Sequence, residues 1–122
     1  MTETRYRTSH PLLIATPALQ AWADEHGAHW LIDAVASHLF AGRDARRAQA
    51  DPITFWTVTV RDDATEREPM AVLRGTDGGV MDQPEVVYAQ QEIDYTDLPA
   101  GSHRIYVARD GRKWVAMLPE DY

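Results

Sequence analysis

Ile53-Thr54-Phe55-Trp56-Thr57-Val58-Thr59-Val60 is where the chain changes character. Its density of Thr, Val and aromatic residues suits a pleated, half-buried strand. Upstream the pattern is helical. Thr16 followed by Pro17 sets a hydroxyl N-cap before a proline at the first helical position. Leu19, Trp22 and Ala23 then recur at i, i+3, i+4, and Gly27 suits a left-handed cap. A second helical run, Ala28 to Phe40, puts Leu31, Ala34, Val35, His38 and Leu39 on one stripe, and Gly42 stops it. The reading is two short consecutive helices divided at Gly27. Residues 1–11 form an extended lead-in ending in His10-Pro11, because a residue before proline avoids the helical region.

Downstream, the apolar runs read as strands separated by turn signals. Arg61 to Glu68 is almost wholly polar and makes a loop, as does the charged stretch 43–51. Met70 to Gly75 is a second strand closed by Asp77-Gly78-Gly79, and Glu85 to Tyr95 is a third. His103 to Arg109 and Lys113 to Leu118 flank Asp110-Gly111, a hairpin turn. The expectation is one α+β domain over residues 1–122. It has two short N-terminal helices on one face of a four- to five-stranded, mainly antiparallel meander sheet.

Composition narrows the function classes. The chain has 122 residues, 44% apolar and 25% charged, which is ordinary globular usage. Twelve Lys plus Arg against 19 Asp plus Glu give a formal charge of −7. Direct binding to nucleic acid is therefore not expected, since phosphate contact needs a positive surface. The absence of cysteine removes disulfides, thiolate metal sites and cysteine nucleophiles. The apolar runs fall far short of the roughly 20 residues that span a bilayer. The N-terminus lacks the apolar core of a signal peptide. No membrane association and a cytoplasmic location are the expectations.

Several strings match a known pattern. They are His10-Pro11-Leu12, the run from Gly27 to His38, Phe55-Trp56-Thr57-Val58 and Gly75-Thr76-Asp77-Gly78. Gln91-Glu92-Ile93-Asp94-Tyr95-Thr96-Asp97 and the terminal Leu118-Pro119-Glu120-Asp121-Tyr122 belong with them. Together, in this order, they resemble a small bacterial family catalogued as a domain of unknown function, number 6876. Stretches 43–51 and 61–68 stand as variable loops outside those motifs. The resemblance implies a single domain and a setting on bacterial chromosomes, plasmids and phages. It supplies no catalytic or binding residues.

The residues themselves offer two classes of site. His26, His29 and Asp33 carry the ligand types of a catalytic metal centre. With His38 and His10, they support the alternative reading of a small metal-dependent or acid–base hydrolase. Gly27 divides the first two, His29–Asp33 is an ordinary i,i+4 pair, and Ser37 lacks a glycine elbow. No metal, cofactor or catalytic residue is therefore assigned. The charge pattern points elsewhere. Between Gly75 and Asp97 lie six acids (Asp77, Asp82, Glu85, Glu92, Asp94, Asp97) and no Lys or Arg. Strand alternation sets Val86, Tyr88, Gln90, Glu92 and Asp94 on one face, an aromatic beside acids.

The leading expectation is a non-enzymatic protein-interaction module using Tyr88, Asp82, Glu85, Glu92, Asp94 and Asp97. Its partner would be a protein with a basic surface, such as a nucleic-acid-binding complex. One concrete form is an inhibitor of a host defence complex, in the manner of an anti-CRISPR. The sheet reads as apolar on both faces (Phe55 against Trp56, Tyr106 against Val107, Trp114 against Val115). Folded-over termini, a partner or a homodimer would be needed to cover the second face.

Overall fold

The computed structural model describes residues 6–7, 10–62, 69–79 and 82–122, with the backbone alone for Tyr6 and Arg7. The elements run β1 (Tyr6–Arg7), β2 (Leu13–Ala15), α1 (Pro17–His26), α2 (His29–Ala41), α3 (Ala45–Ala50) and β3 (Ile53–Val60). They continue through β4 (Ala71–Thr76), β5 (Val87–Ile93), β6 (Gly101–Asp110) and β7 (Lys113–Met117), followed by a 3₁₀ turn at Pro119–Asp121. The architecture is α+β. No helix among the described residues is long and apolar enough to cross a membrane.

Local chemistry accounts for the helix ends. Thr16 Oγ1 accepts the Leu19 N–H at 3.3 Å, and Pro17 takes the first helical position. Gly27 adopts φ 60°, the left-handed region, and α1 stops there. The sheet corrects the expected topology. It has seven strands in the order β1-β2-β7-β6-β3-β4-β5, and β2 pairs with β7 in parallel, so the sheet is mixed. It is not a meander. After β5, the chain returns along one end of the sheet to place β6 on the far side of β3, making a Greek key. Thr96 and Leu98 are buried in that return. Two further differences are local. The lead-in contains β1, and stretch 43–51, expected as a loop, contains α3. Residues 63–68 of the other expected loop lie outside the described residues.

All three helices cover one face. Leu19, Ala23, Leu31, Val35, Leu39 and Ala48 join Trp56, Val58, Leu73, Ile105 and Val107 in a single core. Trp56 is 1% exposed, and its indole N–H donates to Thr54 Oγ1 at 2.8 Å. Gly75 sits opposite Trp56 across the β3–β4 ladder. A Cβ at Gly75 would lie 2.4 Å from the indole ring, so the ring occupies the space that any other residue would fill. On the opposite face, Phe55 meets Tyr106 edge-on at 4.9 Å, and Tyr106 meets the C-terminal Tyr122 at 5.9 Å. The end of the chain thus folds over part of the second apolar face.

Candidate functional site

Among the described residues, β5 is the outermost strand on its side and pairs with β4 alone. Its ladder is regular from Ala71↔Ile93 to Gly75↔Ala89. The next pair is Thr76↔Val87, so Tyr88 is an extra residue in a β-bulge. The bulge breaks strict alternation and turns Tyr88 toward the helices. There it is 9% exposed, and its hydroxyl donates to Asp51 at the end of α3. Burial and the Asp51 carboxylate push its phenol well above the usual value of 10.0. The expected aromatic-and-acid face is thereby divided. Tyr88 lies on the helix side, and Glu92 lies opposite Val72 on the other.

Between β5 and α2 runs an open groove of about 480 Å³, lined by Ser37, His38, Gly42, Arg43, Asp44 and residues 87–90. His38 reaches across it. Its Nε2 lies 2.8 Å from Gln91 Oε1, and because a carbonyl oxygen only accepts, Nε2 is the donor. The lip leading into β5 is fastened by Asp77. Its Oδ1 accepts the Gly79 and Val86 N–H groups, each at 2.9 Å. These bonds, Gly79 first, hold the Asp77 carboxyl below its usual 3.8.

The acids stand at the two ends of β5. Asp82 is exposed before the strand, with φ 73°. Glu85 is bound by Arg74, Nη2 to Oε1 at 3.0 Å. Glu92 and Asp94 are exposed at the far end, and among the described residues neither has an ion pair. Asp97 accepts the Tyr95 hydroxyl at 2.6 Å, which raises that phenol. The structure therefore gathers Glu92, Asp94 and Asp97 at one end and Asp82 and Glu85 at the other.

The histidines do not converge. His26 packs on the Trp22 ring at 5.2 Å. His29 Nε2 lies 2.5 Å from Asp24 Oδ1, across the Gly27 break. His10 stacks on Phe40 at 4.0 Å, and its Nδ1 accepts the Leu12 N–H at 3.1 Å. Among the described residues, no group of three or more His, Asp or Glu is placed to hold a metal ion. His26, His29 and Asp33 thus do not form the ligand cluster that their spacing offers. The sequence reading missed Arg43 and Asp44 in the groove and Asp51 as the acceptor of the Tyr88 hydroxyl. One signal was available, because Ala45 to Ala50 consists of good helix formers and so places Arg43 and Asp44 in a turn between helices.

A family model described as a family of unknown function (DUF6876) matches residues 1–122. No curated protein matches, and no solved structure matches.

Proposed function

The chain belongs to the DUF6876 family, whose function is unknown, and we propose that it is a protein-binding module that receives its partner along the β5 side of the sheet. The observation that carries this reading is the edge strand with exposed acids at its two ends, of which Glu92 and Asp94 have no ion pair among the described residues. Only Glu85 has a basic partner among the described residues there. With a net charge of −7, such a flank steers a basic protein surface toward itself and disfavours acidic competitors. The nucleic-acid-binding groove of a host defence complex has the required chemistry, and inhibition by occupying it is the concrete form. Catalysis is less well supported, because His10, His29 and His38 each have separate partners.

The test is capture of a partner by the full chain in its native host, followed by charge reversal. Glu92→Lys with Asp94→Lys abolishes a stoichiometric complex. The same reversal at Glu25 and Glu120, which are exposed on α1 and on the 3₁₀ turn beside β7 and β6, leaves it intact. Capture unaffected by the β5 pair contradicts the reading. A homodimer, if one forms, is expected to use the Phe55–Tyr106–Tyr122 face, because pairing two β5 flanks brings like charges together. A dimeric native mass that persists in Tyr106→Lys contradicts that assignment.

A further inference from the structure

We propose that the partner supplies an extended segment bearing Arg or Lys, which pairs with β5 as a further strand of the sheet. This deepens the reading of β5 as the partner side and rests on it.

Three observations carry the inference. First, among the described residues β5 has backbone partners only on the β4 side, and the ladder is regular from Ala89 to Ile93. The other edge of those residues is a template for strand addition. Second, an added strand lies about 4.8 Å outside β5, with its side chains pointing alternately to the two faces. On the helix face they meet the groove between β5 and α2, floored by Tyr88 and Ala89 and walled by Ser37, His38 and the Gly42–Asp44 turn. Arg43 and Asp44 oppose one another in sign there, so this side suits uncharged side chains. Third, the other face presents Gln90 and Glu92, with Asp94 just beyond. A side chain directly across from Glu92 is favoured when it is basic. Glu85 is already engaged by Arg74, so the attraction is concentrated at the Glu92–Asp94 end. The segment is therefore one in which basic residues alternate with small uncharged ones. A second copy of β5 is a poor occupant, because it would bring its own Glu92 and Asp94 to the same edge.

The probe is a capped peptide of about ten residues alternating Arg and Thr, titrated into the ¹⁵N-labelled full chain. N-methylating all Arg amides, or all Thr amides, removes hydrogen-bond donors from one edge of the peptide or the other. The expected result is shifted, exchange-protected amides from Ala89 to Ile93. One methylated form loses about tenfold or more in affinity and the other less than about twofold, because strand pairing uses one edge only. Glu92→Lys with Asp94→Lys weakens the unmodified probe by about tenfold. Equal affinities for the two methylated forms, with the charge reversal still effective, overturn strand addition and leave the acidic flank standing. Absence of any β5 shift overturns both.

Discussion

The two halves of the sheet on either side of β3 are finished in different ways. On the β6 side, the two ends of the chain are stitched together. The Thr16 N–H donates to the Ala116 carbonyl at 3.0 Å and the Trp114 N–H to the Leu12 carbonyl at 2.8 Å. Thr16 Oγ1 donates to Asp121 Oδ2 at 2.9 Å while capping α1, and the same carboxylate oxygen accepts the Leu118 N–H at 3.2 Å. The Arg109 guanidinium lies 4.9 Å from the centre of the Trp114 ring and donates to the Gln49 carbonyl. On the β4 side, the sheet of described residues stops at β5, whose Gln90, Gln91 and Glu92 are exposed. One half ends in the two-residue β1 and is cross-linked by bonds between distant parts of the chain, and the other ends in the seven-residue β5 with a groove beside it and exposed acids at its two ends. The first half holds the bonds that join residues 12–16 to 114–121, and the second is where the proposed recognition is placed.

The strongest way to break the comparison is at its hinge. Trp56→Ala removes the largest buried side chain from the strand both halves share and costs about 3–5 kcal/mol in denaturant unfolding. A loss below about 1 kcal/mol would show that the core is not centred there. Gly75→Ala drives a methyl into the indole and costs about 1–3 kcal/mol by the same measurement. In the closed half, Asp121→Ala loosens the Thr16 latch at a cost of about 1 kcal/mol. Partner capture by that variant stays unchanged, which is what separates the two halves.

The open half has its own pH signature. The Asp77 carboxyl is held below 3.8 by the Gly79 and Val86 N–H groups. Its contribution is therefore present above the unfolded-state value and lost as pH falls through the lower folded one. Asp77→Asn makes the acid limb of the stability profile shallower below about pH 4. An unchanged limb would remove Asp77 as the fastener of the β5 lip. The smallest effect on stability falls on the residue with the largest effect on recognition. Glu92→Lys shifts unfolding by no more than about 0.5 kcal/mol and weakens capture of the partner.

Local signals in the sequence survived into the fold, and tertiary ones did not. The Thr16–Pro17 start, the Gly27 stop, the strand 53–60 and the Asp110–Gly111 hairpin each rest on a few neighbouring residues, and each is present. The three residues of β2 are too few to show a period, and their parallel pairing with β7 exists only once the ends of the chain meet. Strand order has no local signature, so the return of β6 to the far side of β3 was illegible. α3 was hidden because its arginines read as solvated charge, although its buried Ala45 and Ala48 stand three apart. The candidate site was half legible. The acid run was plain, but the bulge that moves Tyr88 to the helix side is a property of the β4–β5 register. The groove, likewise, needs α2 and β5 side by side.

Hydrogen exchange on the full chain, alone and with its captured partner, tests the account most directly. The expected result is slowed exchange of the amides from Ala89 to Ile93, with β2 and β7 unchanged. Protection falling on β2 and β7, or on the Phe55–Tyr106 face, while β5 exchanges as before, would contradict it.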